Sequence, residues 1–296
     1  METDTKRTID EIITLYNLEP EMRSIFVEGV SDKVLIEYYL VKNDISDVTI
    51  YEIDSYVDFS SLYSEKDFLK RNNKKKLVEL AKTFDSNFPE KLHFVLCIAD
   101  KDFDEILEQK IQSQHLVYTD YNSLELYLFQ VEVISKLYQI VLHGFPIEPE
   151  KTLSELKLPL KELFLFRYAK EVLKLDDDFE MLSKNIFEKH FDVKSNGNIY
   201  FEKDTYIHKI LVKNNLLKIK LDFLEKIEEG RKLLTGDFRN FIRGHDFVYL
   251  LFLQVDKFKR NLKFNEQSFE RSFFGCIEVD NLNGEELFKQ LIDKYR

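Results

Sequence analysis

Cysteine is almost absent from the chain. Cys97 and Cys276 are the only two in 296 residues, and neither has a CxxC partner or a suitably spaced histidine. That excludes a disulfide framework and a structural zinc knot, and it fits a reducing compartment. Glycine (8) and proline (5) are scarce, which excludes collagenous, low-complexity and turn-rich all-β chains and favours long helices. No window holds an uninterrupted apolar run of about 18 residues, and the first ten residues mix acids with bases instead of forming a signal-peptide core. A soluble, cytoplasmic protein with no membrane partner is expected. A GxxxxGK[ST] loop and a GxGxxG turn after a strand are both missing, so any ATPase must be a partner chain.

The apolar material is ample, at 44% hydrophobic and 14% aromatic residues, for one large domain or two modest ones. Lys and Arg total 43 against 54 Asp and Glu, a net charge of −11. A polyanionic substrate must therefore be met by a local basic patch or by metal ions.

The first half alternates between two periodicities. Residues 24–27 read as a buried strand broken by the turn Glu28-Gly29-Val30-Ser31-Asp32, with Ser31 as the expected N-cap of a helix over 32–42. A second strand fits 48–53, and the basic stretch 70–76 leads into helix-spaced apolar residues over 77–84. Residues 93–99 are the most continuous apolar run, as expected of a central strand covered on both faces. A helix over 105–112, a fourth strand over 115–118 and a helix from Leu124 complete an open α/β pattern. Beyond that point, 126–141, 160–173, 179–190, 206–229, 238–258 and 284–295 carry helical spacing, with 194–198 as a turn. The expected domains are 1–145, an α/β unit, and 146–296, a mostly helical unit, with the boundary at His143-Gly144-Phe145-Pro146.

Glu28 ends the first strand, and Asp100 and Asp102 end the long apolar one. In a parallel sheet those ends share one edge, which is where ligands bind. Each motif alone is most often a solvated loop residue or a helix cap. Taken together, carboxylates gathered on one edge repel one another unless they are protonated or hold a hard cation, for which Mg²⁺ is the natural match.

Phe26-Val27-Glu28-Gly29-Val30-Ser31-Asp32-Lys33 and Val95-Leu96-Cys97-Ile98-Ala99-Asp100-Lys101-Asp102-Phe103-Asp104 resemble the Glu and Asp-x-Asp motifs of Toprim domains, shared by topoisomerases, primases and OLD-family nucleases. The resemblance covers roughly residues 20 to 130. Thr119-Asp120-Tyr121-Asn122-Ser123-Leu124-Glu125 and Ile242-Arg243-Gly244-His245-Asp246 are similar to a narrower Toprim group, the nuclease effectors encoded beside ABC-type ATPases in PARIS antiphage systems. The resemblance implies a Rossmann-like Toprim fold with catalytic Glu28, Asp100, Asp102 and Glu125. It implies a Mg²⁺ site, with Mn²⁺ as substitute, drawn from Glu28, Asp100, Asp102, Asp104 and Glu125. Asp32, Lys33, Arg243 and His245 are the supporting residues it suggests. It further implies a toxic nuclease controlled by an ABC-type ATPase sensor subunit, dimeric when active, that cleaves host nucleic acid, with tRNA the first choice of substrate and DNA the second.

Lys70, Arg71, Lys74, Lys75 and Lys76 form the densest basic cluster, read either as a track for a nucleic-acid backbone or as a solvated helix entry. Two other functions fit the acidic edge. One is a haloacid-dehalogenase-like phosphatase with a nucleophilic Asp100, although that family carries its Asp-x-Asp on the first strand. The other is a non-catalytic binding module that grips a partner.

Overall fold

A computed structural model describes residues 6–88, 94–175 and 179–296. The chain divides into two compact units, Met1–Leu124 with Glu278–Arg296, and Glu125–Ile277. This division falls at Leu124 and not near residue 145, and the final segment joins the first unit.

In the first unit, four strands, β1 (Ser24–Val27), β2 (Thr49–Glu52), β3 (Val95–Ala99) and β4 (Leu116–Tyr118), form a wholly parallel sheet in the order β2-β1-β3-β4. Helices α1 (Ile9–Leu18), α2 (Val30–Lys42) and α3 (Asn73–Asn87) accompany it. Every residue of β1 and β3 is buried, as an apolar run without alternation requires. Phe26, Cys97 and Ala99 pack with Ile12 and Tyr16 of α1 and with Leu77, Leu80 and Phe84 of α3. Each large side chain buried in this way contributes about 1.5–3 kcal/mol. His93, expected to begin the third strand, lies outside the described residues.

The Glu286–Tyr295 helix closes the unit. Its Phe288 ring lies 4.7 Å from that of Tyr39, and its Tyr295 hydroxyl donates to the carbonyls of Ser24 (3.1 Å) and Phe94 (3.2 Å). Two expectations in this unit are corrected. Helix α2 starts at Val30, two residues early, because the Asp32 carboxylate accepts the Gly29 N–H at 2.9 Å, so the cap lies at Gly29 and not at Ser31. Residues 105–112 form a turn over 105–108 and irregular chain after it instead of a helix. Glu108 has a positive φ of 54°, and the Glu105 carboxylate is held by Lys101 (3.1 Å) and Lys110 (3.0 Å).

The second unit is mainly helical: α4 (Val131–Lys136), α5 (Pro149–Val172), α6 (Lys203–Lys213), α7 (Lys220–Leu233), α8 (Gly244–Lys259) and α9 (Glu266–Phe274). The helix expected from residue 160 begins at Pro149 and runs through Pro159. The expected 206–229 helix is two helices, because Asn215 turns the chain with a φ of 57°. Over 179–190 only the short turns Lys184–Phe187 and Glu188–His190 are helical. The expected turn at 194–198 joins two antiparallel strands, β5 (Phe191–Val193) and β6 (Ile199–Phe201), with Phe191 stacked on Phe201 at 4.6 Å. Among the described residues, no helix is long and apolar enough to cross a membrane.

Helices α5 and α7 meet at Gly230, where a Cβ would lie 2.5 Å from Cδ1 of Tyr168. Only glycine fits that contact without displacing the ring. Gly230→Val is expected to destabilise the protein by about 1–3 kcal/mol through overpacking, read as a lower midpoint in urea unfolding with native-like helical circular dichroism retained. An unchanged midpoint would show that the contact is looser than drawn.

Candidate functional site

The strand order places a reversal between β1 and β3. The chain leaves β1 towards β2 on one side and returns through α3 to β3 on the other, which opens the carboxyl edge between them. Parallel pairing of Phe26 with Cys97 brings Glu28 level with the end of β3, and the Asp100 N–H donates to Glu28 Oε1 at 2.8 Å. Acids separated by 72 positions therefore meet on one rim. The Asn73 side chain, at the start of α3, donates to the Glu28 carbonyl at 2.9 Å.

After β3 the chain turns sharply. Asp102 adopts a positive φ of 46°, and its N–H donates to the Asn122 carbonyl at 2.9 Å. The Lys101 N–H donates to Thr119 Oγ1 at 3.1 Å. The 100–104 segment is thereby tied to the loop that follows β4. The turn faces Asp102 and Asp104 towards Lys74 in the first turns of α3, with Nζ 3.3 Å from Asp102 Oδ2, 2.9 Å from Asp104 Oδ2 and 3.1 Å from the Lys101 carbonyl.

The electrostatics follow from this crowding. Lost hydration pushes the Glu28 carboxyl up to about 8; the Asp100 N–H and the Lys74 ammonium work against it, and the negative charges of Asp102 and Asp32 reinforce it. Lys74 also loses hydration, but Asp102, Asp104 and Glu28 outweigh that and raise its pKa above the ordinary lysine value. The rim thus presents a glutamate that holds its proton more tightly than usual beside carboxylates that already hold one cation.

The other expected site residues have their own partners in the fold. Asp32 holds the start of α2, and Lys33 is half-buried with its N–H donated to the Gly29 carbonyl at 3.1 Å. The basic cluster is not one exposed track. Lys74 lies among the rim acids, and Lys76 is buried and paired with Asp54. Helix geometry is the reason, since the first turn of α3 faces the sheet edge and residue 76 faces the core. Lys70, Arg71 and Lys75 remain exposed, with Lys70 paired to Asp67 and Lys75 over the Phe68 ring at 5.1 Å.

Glu125, Arg243 and His245 belong to the second unit. Glu125 is buried, with Oε1 3.0 Å from His245 Nδ1, and Glu270 joins them so that one ligand atom of each lies within 4.8 Å of the others. Glu270 is pushed up, first by lost hydration and then by the charge of Glu125; His245 opposes the shift. Among the described residues this is the group of three that meets such a distance, and the rim acids, spread around Lys74, do not converge as closely. Arg243 is half-buried at the N-cap of α8, and its carbonyl accepts the Phe247 N–H at 3.0 Å. Asp246 is structural, forming a two-point ion pair with Arg167 at 3.0 and 2.7 Å.

Sequence reasoning took Lys74 only as one of the basic cluster, and it missed Asn73 and Glu270 as site members. The first two were accessible in principle, because a helix after a parallel strand begins on the carboxyl edge of the sheet. Glu270 has no such signal, being one acid on an amphipathic helix.

The donor set of the rim is all carboxylate oxygen, and Lys74 shows that a positive charge is accommodated among them. These residues fit a hard divalent cation. Compared with known proteins, the chain matches no family model, and a search of curated proteins finds no match.

Because ionised Glu28 is disfavoured in the folded state, its contribution to stability is intact below the ordinary glutamate range and is lost as pH rises through about 8. Gln at this position keeps an acceptor for the Asp100 N–H and cannot ionise. In chelator, Glu28→Gln is expected to melt close to the parent near pH 5 and about 3 °C or more above it near pH 9. An equal difference at both pH values would overturn the assigned shift.

Proposed function

We propose that the chain is a divalent-metal-dependent Toprim nuclease of the AriB type, the toxic effector of a prokaryotic antiviral system. In this reading an AriA-like ABC-type ATPase sensor holds it, release allows a homodimer to form, and host nucleic acid is cut in the cytoplasm, with tRNA the substrate of first choice and DNA the alternative. The first unit is the catalytic one, and the second supplies substrate, dimer or ATPase contacts. One observation carries the proposal: Glu28 and Asp100 meet through a 2.8 Å hydrogen bond at the reversal of strand order.

Glu28, Asp100 and Asp102 are the residues that would hold Mg²⁺ or Mn²⁺, with Asp104 beside them. Such an ion, when bound, neutralises a scissile phosphate and lowers the pKa of a water. The remaining chemistry belongs to the chain. Glu28, with its carboxyl raised towards neutrality, is suited to accept a proton from the attacking water or return one to the leaving oxygen. Lys74 supplies an ammonium at the same rim for a phosphate oxygen once Asp102 and Asp104 turn to other partners. Water is the nucleophile, since no tyrosine on the rim is marked for attack. Lys70, Arg71 and Lys75 are the exposed bases left to meet the nucleic-acid backbone.

The test is cleavage of labelled tRNA and of DNA by the full chain in Mg²⁺, Mn²⁺ or chelator. Metal-dependent cuts in tRNA are expected. Glu28→Ala, and Asp100→Ala combined with Asp102→Ala, should lower the rate by about 100-fold or more and abolish toxicity on expression. Full cleavage by either variant overturns the assignment. Turnover of a small phosphate ester through a phospho-Asp100 intermediate would instead establish phosphatase chemistry.

A further inference from the structure

The second unit assembles three ligand-bearing side chains from three separate places in the chain. Glu125 is its first residue, His245 lies in the first turn of α8, and Glu270 lies in α9. One ligand atom from each lies within 4.8 Å of the other two, and His245 Nδ1 is 3.0 Å from Glu125 Oε1. Ligand atoms bound to a single ion at about 2.0–2.2 Å stand about 3–4 Å apart, so a modest side-chain rotation closes this set.

The surroundings distinguish the cluster from an ordinary ion pair. Elsewhere in the same unit, carboxylates that lose water are answered by arginine: Asp246 by Arg167 at 2.7 Å, and Glu162 by Arg231 at 2.6 Å. Among the described residues, neither Glu125 nor Glu270 is ion-paired with a lysine or arginine, and His245 is the ion partner of Glu125. The Glu125 side chain is only 10% exposed, whereas that of His245 is 75% exposed. The set therefore has a fixed, buried carboxylate at its base and an open side through which an ion and its waters enter.

We infer that Glu125, His245 and Glu270 bind one divalent ion of the Mn²⁺, Co²⁺ or Zn²⁺ class. The imidazole decides the class. Mg²⁺ and Ca²⁺ prefer all-oxygen sets such as the sheet rim, while one imidazole with two carboxylates suits borderline transition metals. The inference goes beyond the nuclease reading by giving Glu125 partners from its own unit, and it does not depend on that reading. A bound ion joins the beginning of the second unit to the start of α8 and to α9, so metal binding and the stability of this unit are linked.

The experiment uses the full chain carrying Asp100→Ala and Asp102→Ala, which removes the rim carboxylates, after stripping with chelator. Co²⁺ is titrated by its visible absorption, and Zn²⁺ and Mg²⁺ are titrated by calorimetry. One equivalent of Co²⁺ or Zn²⁺ is expected, with Mg²⁺ at least about 10-fold weaker. Adding His245→Ala or Glu270→Gln should weaken Zn²⁺ binding by about 10–100-fold and remove the rise in melting temperature that Zn²⁺ gives the parent background. His245 is exposed and Gln is isosteric with Glu, and matching metal-free melting curves confirm that both variants are folded. The inference is overturned by Zn²⁺ binding that is unchanged in both variants, by its absence from the background protein, or by Mg²⁺ binding as tightly as Zn²⁺. Inactivity of the native chain on every nucleic acid would remove the nuclease reading and leave this result untouched.

Discussion

The hydrogen bond from the Asp100 N–H to the Glu28 carboxylate is the point on which the rim of the first unit depends. A parallel sheet cannot cover the carboxyl ends of two adjacent strands whose connections depart in opposite directions, so the rim between β1 and β3 stays open. An open rim leaves the first N–H after β3 in need of an acceptor, and Glu28 is the side chain the register brings level with it. Accepting that bond fixes the glutamate in a crowded, poorly hydrated position beside Asp32 and Asp102, which favours the proton-bound form. Topology therefore determines location, location determines hydration, and hydration sets the chemistry available to the glutamate. The nuclease proposal uses this sequence of causes and adds the resemblance of the motifs to it.

Where burial on both faces controls the pattern, the sequence is easy to read. The runs at 24–27 and 95–99 are continuous apolar stretches because the sheet is covered on both sides, and both appear as strands. Helices α2 and α3 are equally legible from three-and-four spacing. Reading fails where a local pattern competes with a longer-range constraint. Residues 105–112 have helix-forming composition, yet Glu105 is drawn to Lys101 and Lys110 and the segment stays non-helical. Pro159 looks like a helix boundary but lies within α5, whose neighbours hold the helix through the lost backbone bond. The hairpin from Phe191 to Phe201 is too short and too weakly alternating to be recognised, and its stacked aromatic pair exists only after folding. Nothing local says that the Glu286–Tyr295 helix returns to the first unit. That return rests on Phe288 against Tyr39 and on the hydroxyl of Tyr295, contacts more than 200 positions apart in the chain.

The site residues follow the same division. Glu28, Asp100 and Asp102 are legible because strand ends are legible, and a parallel sheet aligns strand ends. Lys74 is hidden inside a basic run in which every residue looks alike until the phase of the helix is known. Position 74 then faces the rim, 75 faces solvent and 76 faces the core. A three-residue stretch of one amino acid thus divides into three environments, and composition alone cannot assign them.

With a net charge of −11, the chain cannot neutralise all of its carboxylates internally, so the location of each counter-charge is informative. At the rim, Lys74 is drawn into the acids and carries a proton bound more tightly than usual, a cation built into the fold. In the second unit, Glu162 and Asp246 each face an arginine that cannot be deprotonated at any ordinary pH. Among the described residues, Glu125 has His245 as its ion partner, and neither it nor Glu270 is ion-paired with a lysine or arginine, although the charge of Arg271 also acts on Glu270. The two sets meet positive charge in different ways: the rim holds an ammonium in contact with its acids, where it competes with any incoming ion, and the histidine cluster has an imidazole as its contact partner. Ion binding at the rim must displace Lys74 from Asp102 and Asp104, whereas among the described residues the histidine cluster has no lysine or arginine in ion-pair contact to displace.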